Sequence, residues 1–239
     1  MKLYENIVIG NFLFALGYAI RDKKRIDTLR CSINLLQQTP ADPLLGDLLA
    51  QFPGTVRLIE FKAQGARIDK EVGRHSTLSK AVGAAGFEEI SRDIHWYIES
   101  AADEDVFRTR LVPYLDAFYC PGEPKRQFLE TFIDKLACEV AEGSVRHRPE
   151  DIRKYLDWVR LTLGSKGKKG SGAIGSGALL LVVEPNGALS FIPMHDLMEL
   201  NLHRNELLPY RNKLDQVYAQ ELEREFSRER SYGQRGMSL

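Results

Sequence analysis

The chain has 239 residues, 44% of them hydrophobic, which is enough to bury a core as one large domain or two small ones and excludes global disorder. Lys plus Arg and Asp plus Glu both number 33, so there is no overall positive field to recruit nucleic acid, and any such contact must come from local clusters. The cysteines, Cys31, Cys120 and Cys138, are odd in number and lack C-x-x-C spacing, which indicates neither a disulfide framework nor a cysteine zinc site and fits a reducing cytoplasm.

In chain order, the apolar run Ile7 to Ile20 is interrupted by Asn11, preceded by Glu5 and Asn6, and shorter than the roughly 20 residues of a spanning helix, so no membrane segment is expected. Tyr4 to Leu16 reads as a buried helix with Gly17 as its C-cap. Beyond a charged turn, Leu29 to Leu36 suits a short strand. Leu44 to Phe52 and Val56 to Phe61 flank Pro53-Gly54 and read as a β-hairpin. Ile68 to Val82 is expected to be an amphipathic helix ended by Gly83 to Gly86, and Ile94 to Ile98, rich in aromatic and β-branched residues, a strand. Leu111 to Tyr119 fits strand or helix.

Pro121-Gly122 and Pro124 mark the expected internal boundary, giving a core over residues 1–122 and a mainly helical part over 123–239. In the second part, Lys125 to Glu142 and Pro149 to Leu163 repeat apolar residues at helical spacing. Residues 164–177 are almost entirely Gly, Ser and Lys and read as a mobile loop. A second hairpin is expected over 178–192 around Pro185-Asn186-Gly187, then helix from Met194 to Leu202. Asn212 to Arg230, charged with a thin apolar stripe, reads as a surface or partner-binding helix.

The first hairpin carries the chemistry. Strand side chains alternate, so Val56, Leu58, Glu60 and Lys62 share one face. With Pro53-Gly54 at the turn, Phe52 pairs with Thr55, and counting outward sets Asp47 opposite Glu60 with Cβ atoms about 4.5–5.5 Å apart. Two facing carboxylates repel, and a divalent cation compensates, since carboxylate oxygens are preferred Mg²⁺ ligands. Lys62, beside them, would orient or help deprotonate a water, or stabilise charge on a scissile phosphate.

Asp47 followed by Glu60-Phe61-Lys62 resembles the D…(D/E)-x-K signature of the PD-(D/E)XK nuclease superfamily, over about residues 1 to 100. The resemblance implies an α/β, restriction-endonuclease-like mixed sheet flanked by helices. It also implies Mg²⁺- or Mn²⁺-dependent cleavage of nucleic acid, DNA before RNA, in anti-phage defence or DNA processing. By the same resemblance Asp47 and Glu60 are metal ligands and Lys62 is catalytic. Glu5 on the first helix is a further ligand, and Gln64, Lys70, Glu71 and Arg74 are available for a polar contact from the helix after the lysine. Two departures stand: Gly46 occupies the family's proline position, and Asp42 competes with Asp47 for the aspartate's role. A partner protein or homo-oligomer is compatible with this reading.

The alternatives are a solvated sheet face on which Lys62 merely screens Glu60, and a nuclease-like subunit kept for binding or assembly in a defence complex. Acidic residues also favour helix N-termini, which offers a plain account of Glu5. Gly170-x-Gly172-x-x-Gly175 follows coil and precedes a hairpin, the wrong context for a dinucleotide site. Lys166, Lys168 and Lys169 either track a phosphate backbone or solubilise a linker. The histidines form no i, i+4 ligand pair. His95 reads as a core or surface residue, and Trp96, Tyr97 and Phe191 as core.

Overall fold

The computed structural model describes residues 4–23, 28–36, 45–66, 68–103, 106–118, 128–164 and 178–194. Asp42, the boundary Pro121-Gly122, the Gly/Lys stretch 165–177 and the helix expected over 212–230 lie outside the described residues.

The first helix, α1 (Glu5–Lys23), exists because Val8, Ile9, Phe12, Leu16 and Ile20 recur at three- and four-residue spacing and bury one face, while Glu5 and the pair Arg21 and Lys23 complement its dipole at either end. Gly17 does not cap it. The helix continues six residues further, because Ile20 still reaches the core and its burial outweighs the roughly 1 kcal/mol that an interior glycine costs relative to alanine. Strands β1 (Leu29–Leu35), β2 (Leu48–Phe52) and β3 (Thr55–Ala63) form an antiparallel run. The β2–β3 hairpin turns at Gly54 with φ 83°, a conformation that glycine adopts without strain, and its pairs run from Phe52 with Thr55 to Leu48 with Ile59.

Helices α2 (Asp69–Ala85) and α3 (Glu88–Ile94) then carry the chain to β4 (His95–Asp103), which lies parallel to β3. Such a crossover is what parallel pairing demands, since a tight turn can only join antiparallel strands. Gly86, in the left-handed region, ends α2 where the Gly83 to Gly86 segment predicts a stop. α3 has no counterpart in the sequence reading: seven residues are too few to display a periodicity. Strand β5 (Val106–Pro113) returns antiparallel to β4 and resolves the ambiguous stretch as strand followed by a 3-10 turn, Tyr114–Asp116.

Helices α4 (Leu129–Glu142) and α5 (Pro149–Gly164) precede the second hairpin, β6 (Ala178–Val183) and β7 (Leu189–Met194). That hairpin adds to the strands of the N-terminal half. β6 pairs with β1, so one seven-stranded mixed sheet runs β5-β4-β3-β2-β1-β6-β7 across residues from both sides of position 122. Its apolar strands gain more from extending an existing sheet than an isolated two-stranded ribbon could supply. Phe191, expected in the core, is 54% exposed because β7 is the edge strand.

Helices cover both faces of this α/β fold. On one, Ile59, Phe61, Trp96 and Ile98 pack under Phe12 of α1 and Phe132 of α4, with ring centroids of Phe12 and Phe61 5.8 Å apart and of Trp96 and Phe132 5.0 Å apart. Arg57 sits within this face, paired with Glu139 of α4, and both are buried. On the other face, α2, α3 and α5 cover Leu58 and His95. The His95 Nδ1 lies 2.9 Å from the Tyr155 hydroxyl of α5, and its ring stacks on Tyr114 at 4.2 Å. Burial, together with the nearby charge of Arg74, pushes the His95 pKa down to about 3, so this imidazole is a neutral core group. Among the described residues, no helix is long and apolar enough to cross a membrane.

Candidate functional site

The site forms where β2 begins and β3 continues. β2 begins at Leu48, and just before it β1 and β3 clamp the main chain of Asp47: its N–H donates to the Ile59 carbonyl at 3.2 Å, and its carbonyl accepts from the Leu36 N–H at 2.8 Å. The Asp47 side chain then takes the place of the missing strand, Oδ2 accepting the Phe61 N–H at 2.7 Å. Two residues further along β3, Glu5 Oε1 from the first turn of α1 accepts the Ala63 N–H at 3.2 Å. Both acids therefore satisfy ladder donors that β2 leaves open, a charge-assisted use of backbone groups that also fixes each carboxylate.

Glu60 and Lys62 project from β3 into this corner. Lys62 Nζ lies 2.6 Å from Glu60 Oε1, 3.7 Å from Asp47 Oδ2 and 4.0 Å from Glu5 Oε2, so the four expected residues meet on one ammonium group. Asp42, the competing aspartate, lies outside the described residues. A solvated face is excluded, because Glu60 is 3% exposed and Asp47 5%. Gly46 accounts for the missing proline. Its φ of 140° is closed to a pyrrolidine ring, and a Cβ there would stand 3.1 Å from Glu60 Oε2.

From the opposite side, α2 contributes a second charged pair. Arg74 Nη1 lies 3.9 Å from Glu60 Oε1 and 3.2 Å from Glu71 Oε2, and the Tyr114 hydroxyl donates to Glu71 Oε1. Of the four polar candidates near this helix, Glu71 and Arg74 reach the site, whereas Lys70 is exposed and Gln64 donates its backbone N–H to the Ser100 carbonyl. Tyr114 goes unnoticed in the sequence. A usable signal for Glu71 and Arg74 does exist there, since they fall on the same helical stripe as Leu78 and Val82, where a core-facing position is unusual for a charge.

The electrostatics follow from this crowding. Burial, and then the negative charges of Asp47 and Glu71, push the Glu60 carboxyl up to about 8 against the opposing pull of Lys62 and Arg74. Burial alone would lower the Lys62 pKa, but Glu60 and Asp47 reverse this and hold it above its ordinary value, so the ammonium stays charged. Arg74 is held up in the same way by Glu60 and Glu71. With every group ionised, four carboxylates face two cations, a formal surplus of two negative charges in a poorly hydrated corner.

The donor set is chemically suited to a hard divalent cation. Carboxylate oxygens from Asp47 and Glu60, with Glu5 adjacent, are ligands that Mg²⁺ and Mn²⁺ accept, and the surplus charge matches that of one such ion. The carboxylates converge on Lys62, and among the described residues no group of three or more His, Cys, Asp or Glu side chains is arranged to hold a metal. A cation held by Asp47 and Glu60 would therefore share them with the ammonium. No family model matches the chain, and comparison with curated proteins and with solved structures also yields no match.

Proposed function

We propose that this protein hydrolyses phosphodiester bonds of nucleic acid with a divalent cation, as a member of the PD-(D/E)XK type with a restriction-endonuclease-like core, DNA being the expected substrate and anti-phage defence or DNA processing the expected setting. The observation that carries this reading is the buried acidic surplus gathered around one permanently charged lysine at the end of a strand pair.

In this reading Asp47 and Glu60 hold Mg²⁺ or Mn²⁺, and Glu5 supports them. The bound cation would supply Lewis acidity toward the phosphate and a more acidic water. Lys62, kept protonated by its neighbours, is unsuited to removing a proton from that water. It serves instead as a fixed positive charge that positions the phosphate and stabilises the negative charge that grows on its oxygens. Arg74, steered by Glu71 and the Tyr114 hydroxyl, offers a second positive charge on the α2 side. A mainly aqueous phosphate would pair with these cations weakly. In a corner where Glu60 is almost fully buried, each such pair counts for more.

A second reading, a non-catalytic subunit for binding or assembly, draws on a different feature of the same corner: Lys62 by itself already bridges three carboxylates, so the cluster has a cationic partner without metal. Incubation with plasmid, linear and single-stranded substrates separates the two. Cleavage is expected with Mg²⁺ or Mn²⁺ and none with a chelator; intact substrates under every condition would favour the binding subunit.

A further inference from the structure

The face of α1 turned away from the core is apolar. Phe14 is 77% exposed, Tyr18 74%, Tyr4 56% and Ile7 48%, so the helix expected to be buried covers the sheet with one side only. With Asn11, these residues occupy positions 4, 7, 11, 14 and 18, alternating steps of three and four that keep one seam facing a partner helix. Gly10 and Gly17 flank the seam, both exposed, and a Cβ added to either would meet nothing within 4 Å. Packing among the described residues therefore gives no reason for two poor helix formers in the middle of α1.

We infer that α1 pairs with α1 of a second copy of this chain, antiparallel, about a two-fold axis near residue 12. In that register positions whose numbers sum to 24 face each other. Phe14 then lies over Gly10 of the other copy and Ile7 over Gly17, so these two side chains enter gaps that glycines leave. A parallel pairing would instead oppose Phe14 to Phe14 and glycine to glycine. Self-complementarity of this kind is what an isologous interface requires, and it favours a second copy over an unrelated partner. Asn11 Nδ2 donates to the Ile7 carbonyl at 2.8 Å, which satisfies one of its two amide N–H groups within the seam.

The area is adequate. An aromatic side chain presents about 150–250 Å², so three that are more than half exposed, with Ile7, offer on the order of 500 Å² per copy and roughly 1,000 Å² per pair, the lower bound for a specific interface. This pairing stands apart from the nuclease reading and holds whether or not the chain cuts nucleic acid.

Sedimentation velocity of the full chain from about 1 to about 100 µM tests it. The expected result is concentration-dependent conversion from the 27.1 kDa monomer to a species of twice that mass. Phe14→Glu should raise the dissociation constant about 30-fold or more, the loss typical of a central interface anchor. Gly10→Leu should weaken the pair comparably while leaving the thermal unfolding of the monomer unchanged or improved, since leucine is the better helix former and has open space there. Monomer at every concentration, whether because residues 195–239 or another protein cover the face, would overturn the inference. So would dimers of the same strength in both variants.

Discussion

Replacing Lys62 with alanine is expected to slow cleavage by about 100- to 1,000-fold, the usual loss when one preorganised charge is removed from a developing anion. The same substitution should leave Mn²⁺ binding intact or tighten it. Lys62 Nζ is 2.6 Å from Glu60 and 3.7 Å from Asp47, so the ammonium competes with any cation for these oxygens, and its removal leaves them with less positive charge nearby. A purely structural lysine would show the opposite combination, with both properties falling as the corner collapses. Single-turnover cleavage and metal titration on one preparation distinguish the two. Equal cleavage by wild type and variant would trace the activity to a contaminant.

The second large effect concerns stability against pH. A glutamate in the unfolded chain titrates near 4.5, whereas burial and the neighbouring acids push the folded Glu60 up to about 8. Between these values the folded state binds more protons than the unfolded state, so metal-free stability falls as pH rises through the window. Below pH 4.5 both states are protonated and the penalty is absent. Above about pH 8 it is complete, on the order of a few kcal/mol for a group this deeply buried. Glu60→Gln, which keeps the shape and loses the charge, should flatten that slope in urea melts at a series of pH values. Mn²⁺ should raise the wild-type midpoint more at pH 8.5 than at pH 6, because the cation binds the form that the fold otherwise resists. A variant that retained the wild-type slope would remove Glu60 as its source.

The hairpin was legible in the sequence because the residues that set it are local. Pro53-Gly54 and the alternation on either side define the register, and once Phe52 faces Thr55 the pairs down to Leu48 with Ile59 follow by counting; Asp47 lies one residue beyond the last pair, its carboxylate on the Phe61 N–H. Glu5 was legible only through resemblance, since nothing in a helix N-terminus says that its glutamate will reach the Ala63 N–H of a strand 58 residues away. The parallel β3–β4 pair, the addition of β6 to β1 and the exposure of the outer α1 face were not legible. Each depends on which surfaces meet, and an apolar stripe looks alike whether it faces a core or a partner. Gly17 shows the same limit: it satisfies the rule for a helix end, and burial of Ile20 overrides that rule. Gly46 is the converse case, a departure from the expected proline that only the proximity of Glu60 Oε2 explains.

Calorimetric titration of Mn²⁺ into the wild type and into Asp47→Asn bears most directly on whether this corner is a metal centre. The amide oxygen of asparagine can still accept the Phe61 N–H, so the fold is retained while the charge facing Glu60 is lost. A saturable heat in the wild type that disappears in the variant is the result expected. No heat in the wild type, or identical heats in both proteins, would contradict the assignment of Asp47 and Glu60 as metal ligands.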